Sequence, residues 1–162
     1  MESPIVRSQP YCICIRTAIG SFLNYTRESL LHCGVSDSNG FVFHFDENGR
    51  HRSKWTESVC YHLDTNGMFA AETEKRGSKE EKLQRWDDKL VQFSNLHEKD
   101  GAPYHPLENN CYDFVTSFLN EAYLNLPQRY PFTKDTVAVQ MLEPRMLELE
   151  KYMSYFRQLT NN

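Results

Sequence analysis

Four absences narrow what this 162-residue chain can be. No apolar run approaches the ~18 residues that a spanning helix requires, so no transmembrane segment is expected. The start, MESPIVRSQPYCICIRTAIG, has no continuous apolar core behind a basic end and does not read as a secretory signal. No Lys/Arg cluster stands out and the net charge is −4, so a nucleic-acid footprint is not expected. The five cysteines are odd in number and irregular in spacing. They suggest neither a disulfide framework nor the paired C-x-x-C of a structural zinc site. A reducing compartment, cytosol or nucleus, is therefore expected, with no cofactor and no metal.

What the chain does have is apolar residues at 40% and aromatics at 13%, enough to pack a globule. YCICIRTAIGSFL (11–23) alternates as a strand pair or as one strand bent at Gly20. In SLLHCGVSDSNGFVFHFDENG (29–49), two apolar segments flank DSNG and a second turn, DENG, closes the hairpin. SVCYHL (58–63) reads as a third strand. The mixed-charge run 72–82 reads as a solvated loop entering a helix whose stripe is Leu83, Trp86, Leu90 and Phe93. Residues 98–110, rich in Gly, Pro and Asn, read as loop, and 124–135 are interrupted by two prolines. A last helix follows Pro144, with Met146, Leu149, Met153 and Phe156 along one side, a stripe that packs on the core or serves as a partner surface. Neither an internal repeat nor a dividing linker is visible. Strands occupy 11–65 and helices 80–160 of one domain, 1–162, an α+β order and not an alternating βαβ one.

The stretch ENNCYDFVTSFLN (108–120) carries the candidate chemistry. Cys111, Phe114, Val115, Phe118, Leu119 and Ala122 recur at helical spacing, so a helix starts at the cysteine and Asn110 is its N-cap. Unpaired amides and the dipole at a helix start favour a thiolate, and amides near Asn110 and Tyr112 are placed to steady an oxyanion. The same features suit a small buried thiol. A partner imidazole has to decide.

There are six histidines. His51 and His97 lie in polar, turn-like stretches, His105 is too near Cys111 to reach it comfortably, and His62 fits either surface or core. His32 and His44 lie on the hairpin strands, 12 residues apart. If Ser38, Asn39 and Gly40 form a three-residue turn, position 34 pairs with 44, and the two histidines project from one face as diagonal neighbours. A two-residue turn at Asn39-Gly40 would set them on opposite faces.

HCGVSDSNGFVFHF followed downstream by NCYDFV resembles the circularly permuted papain-like cysteine enzymes, the lecithin retinol acyltransferase group and its phospholipase/acyltransferase relatives. The PPPDE-type isopeptidases are similar in their histidine-first order and NNC helix start. Over more of its length the chain resembles the makorin opposite-strand protein family, through HCGVSDSNGFVFHFDENG, WTESV, WDDKLVQFS, NNCYDFVTSFLN and FTKDTV. The first resemblance implies a permuted papain-like fold with Cys111 as nucleophile, His32 as general base and His44 orienting it. Tyr112-Asp113 stand where the acyltransferases have Glu-His, and Cys33 where they have an apolar residue. The expected function is a cysteine hydrolase or an acyl or peptidyl transferase acting on a protein or acyl substrate. The alternative is a non-catalytic binding or scaffold protein on the same fold. A zinc site drawn from Cys12, Cys14, Cys33, Cys60, His32 and His62 is the weakest reading.

Overall fold

The computed structural model describes residues 1–65, 78–124 and 131–161. Strands β1 (Cys12–Thr17), β2 (Leu31–Ser36), β3 (Val42–Asp46), β4 (Gly49–Ser53) and β5 (Val59–His62) form one antiparallel sheet. Their spatial order is β4-β3-β2-β1-β5. Helices α1 (Lys79–Asp100), α2 (Cys111–Ala122) and α3 (Glu143–Thr160) follow, the last continuing a π-helical segment, Thr136–Leu142. This is the α+β order expected, strands first and helices after.

The segment 11–23 holds one strand, and the chain leaves it at Thr17 before Gly20 turns with φ +78°. In the β2–β3 hairpin the Asp37 amide donates to the Phe41 carbonyl at 2.9 Å, leaving Ser38, Asn39 and Gly40 at the tip. The Asp37 carboxylate accepts the Asn39 and Phe41 amides, each at 2.9 Å, so one side chain organises the turn. Gly40 is left-handed there, at φ +78°. This turn brings Gly34 opposite His44. A Cβ at Gly34 would lie 2.5 Å from the Phe43 carbonyl oxygen, so nothing larger than glycine fits between the strands.

Two expectations need correction. β4 was not foreseen because GRHRS carries no apolar residue to mark a period. It is an edge strand, paired on one side only, where polar residues on both faces are tolerated. His51 is consequently a strand residue and not part of a turn. The loop expected from residue 98 begins only at Gly101, because α1 runs on to Asp100. His97 thus lies on α1, half-buried, and receives the Arg50 Nε–H at 2.7 Å. The charge run 72–82 and the break at 124–135 lie partly outside the described residues. Of the former, Ser78 caps α1 in a capping box with Glu81.

Alternation along β1, β2 and β3 sends Ile13, Ile15, Cys33, Val35, Phe43 and Phe45 to the face that the helices cover. Against them pack Trp86 and Leu90 of α1 and Phe114, Val115, Phe118 and Leu119 of α2, all fully buried. Each such side chain contributes about 1.5–3 kcal/mol on leaving water. Met146, Leu149 and Met153 of α3 are buried in the same core, with Phe156 packed against it. That stripe is therefore core and not a partner surface. Pro144 stands at the junction where the π-helical segment passes into α3. Among the described residues no helix is long and apolar enough to cross a membrane.

Candidate functional site

β2 and β3 place His32 and His44 on the sheet face away from the helices. His32 Nε2 and His44 Nδ1 are 2.8 Å apart, a hydrogen bond between buried rings. The diagonal contact follows from the register, since His44 stands opposite Gly34, two residues from His32. Glycine at that place leaves the space between the rings open. His44 Nε2 reaches Ser53 Oγ of β4 at 3.3 Å. Trp55 covers both rings, with centroid distances of 5.7 Å to His32 and 5.1 Å to His44. Burial, and then the neighbouring His32, Arg16 and His51, push His44 down to about 3. It is neutral at physiological pH.

Cys111 opens α2 as the sequence requires. Asn110 Oδ1 accepts the Tyr112 amide at 3.0 Å and the Asp113 amide at 3.2 Å. Asp113 closes the capping box by accepting the Asn110 amide at 2.9 Å. The Tyr112 amide is thus used by the cap. Asp113 also faces Lys134 at 3.2 Å, which offsets the negative charge it brings to the helix start. Cys111 is buried among core side chains, yet it lines a cleft of about 390 Å³ at the sheet's end together with His32, Arg16, Asp46 and Tyr104. Its thiol is held below the ordinary range. The largest cause is the Cys33 side chain, which hydrogen-bonds to it; burial opposes, and His32 lowers it further by hydrogen bonding and charge. The fully buried Cys33 is driven the other way and keeps its proton.

Of the sequence-proposed residues, His32, His44, Cys111 and Asn110 are thus brought to one place, with Tyr112 beside them. Three contributors were missed. Cys33 was read as a departure from the acyltransferase pattern and as a weak zinc-ligand candidate, although its position next to His32 on a strand sends it to the helix face, toward Cys111. Trp55 and Ser53 come from β4 and its exit, and no local signal tied either to the histidines.

A family model described as DUF4796 C-terminal matches residues 1–159. The chain belongs to that family. It is also similar to the human (Homo sapiens) MKRN2 opposite strand protein, 25% identical over 146 residues, covering 88% of this chain. The chain spans 60% of that relative's length. Both matches accord with the makorin opposite-strand resemblance seen in the sequence. No solved structure matches the chain with significance.

For this DUF4796 C-terminal chain, His32, His44 and Asp46 are the group among the described residues that brings three ligand-type atoms within 4.8 Å. The two nitrogens stand 2.8 Å apart. Two ligands on a tetrahedral zinc at ~2.0–2.1 Å would stand about 3.3 Å apart, so the geometry is that of a shared proton. The remaining histidines serve elsewhere. His51 Nε2 pairs with Asp46 at 2.9 Å, His105 Nδ1 accepts the Leu107 and Glu108 amides, and the exposed His62 meets Cys12 Sγ at 3.3 Å.

Proposed function

We propose that the chain is a thiol hydrolase or acyl transferase of permuted papain-like type, with Cys111 as nucleophile, His32 as general base and acid, and His44 as the residue that orients His32. The observation that carries this reading is the 2.8 Å His32–His44 bond behind a thiol whose pKa is lowered. A neutral His44 that donates Nε2–H to Ser53 accepts at Nδ1 from His32 Nε2–H. That tautomer leaves His32 Nδ1 free to take the Cys111 proton. The thiolate attacks a carbonyl carbon, and His32 returns the proton to the leaving amine or alcohol as the thioester forms. Water or a second amine or alcohol then releases the acyl group, with His32 taking its proton. The Cys111 amide, first in α2, has no acceptor among the described residues and is the donor proposed for the oxyanion, in place of Tyr112's.

The test is labelling with an alkyne-bearing iodoacetamide and site mapping. Cys111 should be modified first, and His32→Ala should abolish that preference. Equal labelling of Cys33 or Cys60 would sink the assignment. The burial of Cys111, at 4% exposure, favours the second reading, a binding or scaffold protein on the same fold. A Cys111 alkylation midpoint at or above ~8.5 selects that reading, and one below ~7 selects the enzyme.

A further inference from the structure

Arg16 stands directly opposite His32 in the β1–β2 pairing and so shares its face of the sheet. Its guanidinium carbon lies 4.2 Å from the centroid of the Trp55 ring. Arg16 lines the Cys111 cleft and also a smaller one, about 190 Å³, that Trp55 and Thr17 share. Arg27, Arg50, Arg52, Arg145 and Arg157 each donate to a named oxygen or nitrogen. Arg16, half-buried, makes no hydrogen bond or ion pair among the described residues. Asp46 attracts it through space, but that carboxylate is committed to His51 and the Asn48 amide.

A second donor is equally unmatched. Trp55 is 3% exposed, and its Nε1–H has no acceptor. Trp86, the other tryptophan, donates to the Ser36 carbonyl at 3.0 Å. The smaller cleft also contains Lys54, whose ammonium lies over Phe41 at 5.0 Å, and Glu57, which accepts from Ser21. Arg16 likewise lies over a ring, but of the two cations it is the one that also lines the Cys111 cleft. Buried donors are ordinarily paired, and a partly desolvated cation without an anionic partner favours an arriving anion.

We propose that Arg16 and the Trp55 indole N–H form an anion subsite beside the Cys111 cleft, taking a carboxylate or phosphate group of the molecule that reaches the thiol. The second half of this statement rests on the Cys111 reading above; the subsite itself does not. Because Arg16 adjoins His32, the anionic group of the substrate sits close to the acyl carbon under attack. The substrate class is thereby an acyl compound with a negative charge near its reacting carbon.

Iodoacetate and iodoacetamide, which differ in one charge, read this directly. The ratio of their rates at Cys111, in which any change common to both reagents cancels, should fall about tenfold in Arg16→Gln, the loss of one charge-assisted bond. Arg16→Lys should retain part of the ratio. An unchanged ratio in Arg16→Gln overturns the proposal. If neither reagent modifies Cys111, the catalytic reading falls and the subsite is decided separately. The indole ¹⁵N–H resonance of Trp55 should then shift with N-acetylglycine or inorganic phosphate, stay in place with N-acetylglycinamide, and lose the response in Arg16→Gln. No shift with either anion overturns the subsite as well.

Discussion

The sheet carries two places where a thiol lies near an imidazole, and the two are built differently. At the end of β2, Cys111 stands at a helix start beside His32, which is held from behind by His44 and through it by Ser53. Across β1 and β5, Cys12 Sγ touches His62 Nδ1 at 3.3 Å, and Cys14 Sγ faces Cys60 Sγ at 3.8 Å. Here Cys12 and Cys14 keep their protons, raised first by hydrogen bonding to Cys60 and then by burial. Cys60 is lowered by the hydrogen bonds those two thiols and Ser58 give it, with no imidazole bonded to its sulfur among the described residues. The group is packed with Val42 and Trp55, and His62 is exposed with no group behind it among the described residues. A thiol close to an imidazole is thus common to both. Each group also holds a thiol of lowered pKa, and what separates them is that in the first an imidazole stands next to that same thiol and a third group orients the imidazole.

The sharpest way to break this contrast is to remove each imidazole in turn. His32→Ala should slow Cys111 alkylation at neutral pH by about a hundredfold or more, the loss of a positioned base. His62→Ala should leave it unchanged, and equal effects would erase the distinction.

A smaller effect concerns His44 and acid. Unfolded histidine takes up a proton below ~6.5, whereas folded His44 resists until about 3. The unfolded state binds more protons in that window, so stability is fully present above pH 6.5 and is lost as pH falls toward 3. Near pH 5 the cost is about 2 kcal/mol. Urea midpoints at pH 7 and pH 5 should therefore fall further apart for the wild type than for His44→Gln. Equal losses would mean that His44 is not held neutral.

Cys33→Ala tests the thiol pair. Without the Cys33 hydrogen bond, the pH midpoint of Cys111 alkylation should move up toward the ~8.5 of a free thiol. A midpoint left in place would assign the lowering to His32 and the helix start alone. The smallest change is Asn110→Ala, which removes the cap from the Tyr112 and Asp113 amides. It should cost about 1 kcal/mol in urea unfolding, and Asn110→Asp should restore most of it. An unaltered unfolding curve would show that the cap is dispensable.

The sheet was read more completely where the pattern was apolar. β1, β2, β3 and β5 show their alternation, whereas β4, written GRHRS, hides in polarity and took His51 with it. The α2 start was legible because cap, thiol and amphipathic period coincide within a few residues. The end of α1 was misplaced because Glu98, Lys99 and Asp100 lead into a Gly/Pro/Asn-rich stretch while still helical. The stripe of α3 was left open between core and partner surface because periodicity marks an apolar face without naming what covers it.

By itself the sequence determined the hairpin strands that carry His32 and His44 and the capped helix start at Cys111. Strand alternation and an Asn cap are local rules that a short window contains. Of the two turns left open, the structure selects the three-residue tip that sets both histidines on one face. The tertiary structure alone decided that Cys33 meets Cys111, that Trp55 covers both histidines, and that Arg16 stands beside His32 without an anionic partner among the described residues. Those contacts depend on β1 lying between β2 and β5 and on α2 packing across β2 and β3. Strand order and helix placement are set by burial summed over the whole core, which no local stretch of residues encodes.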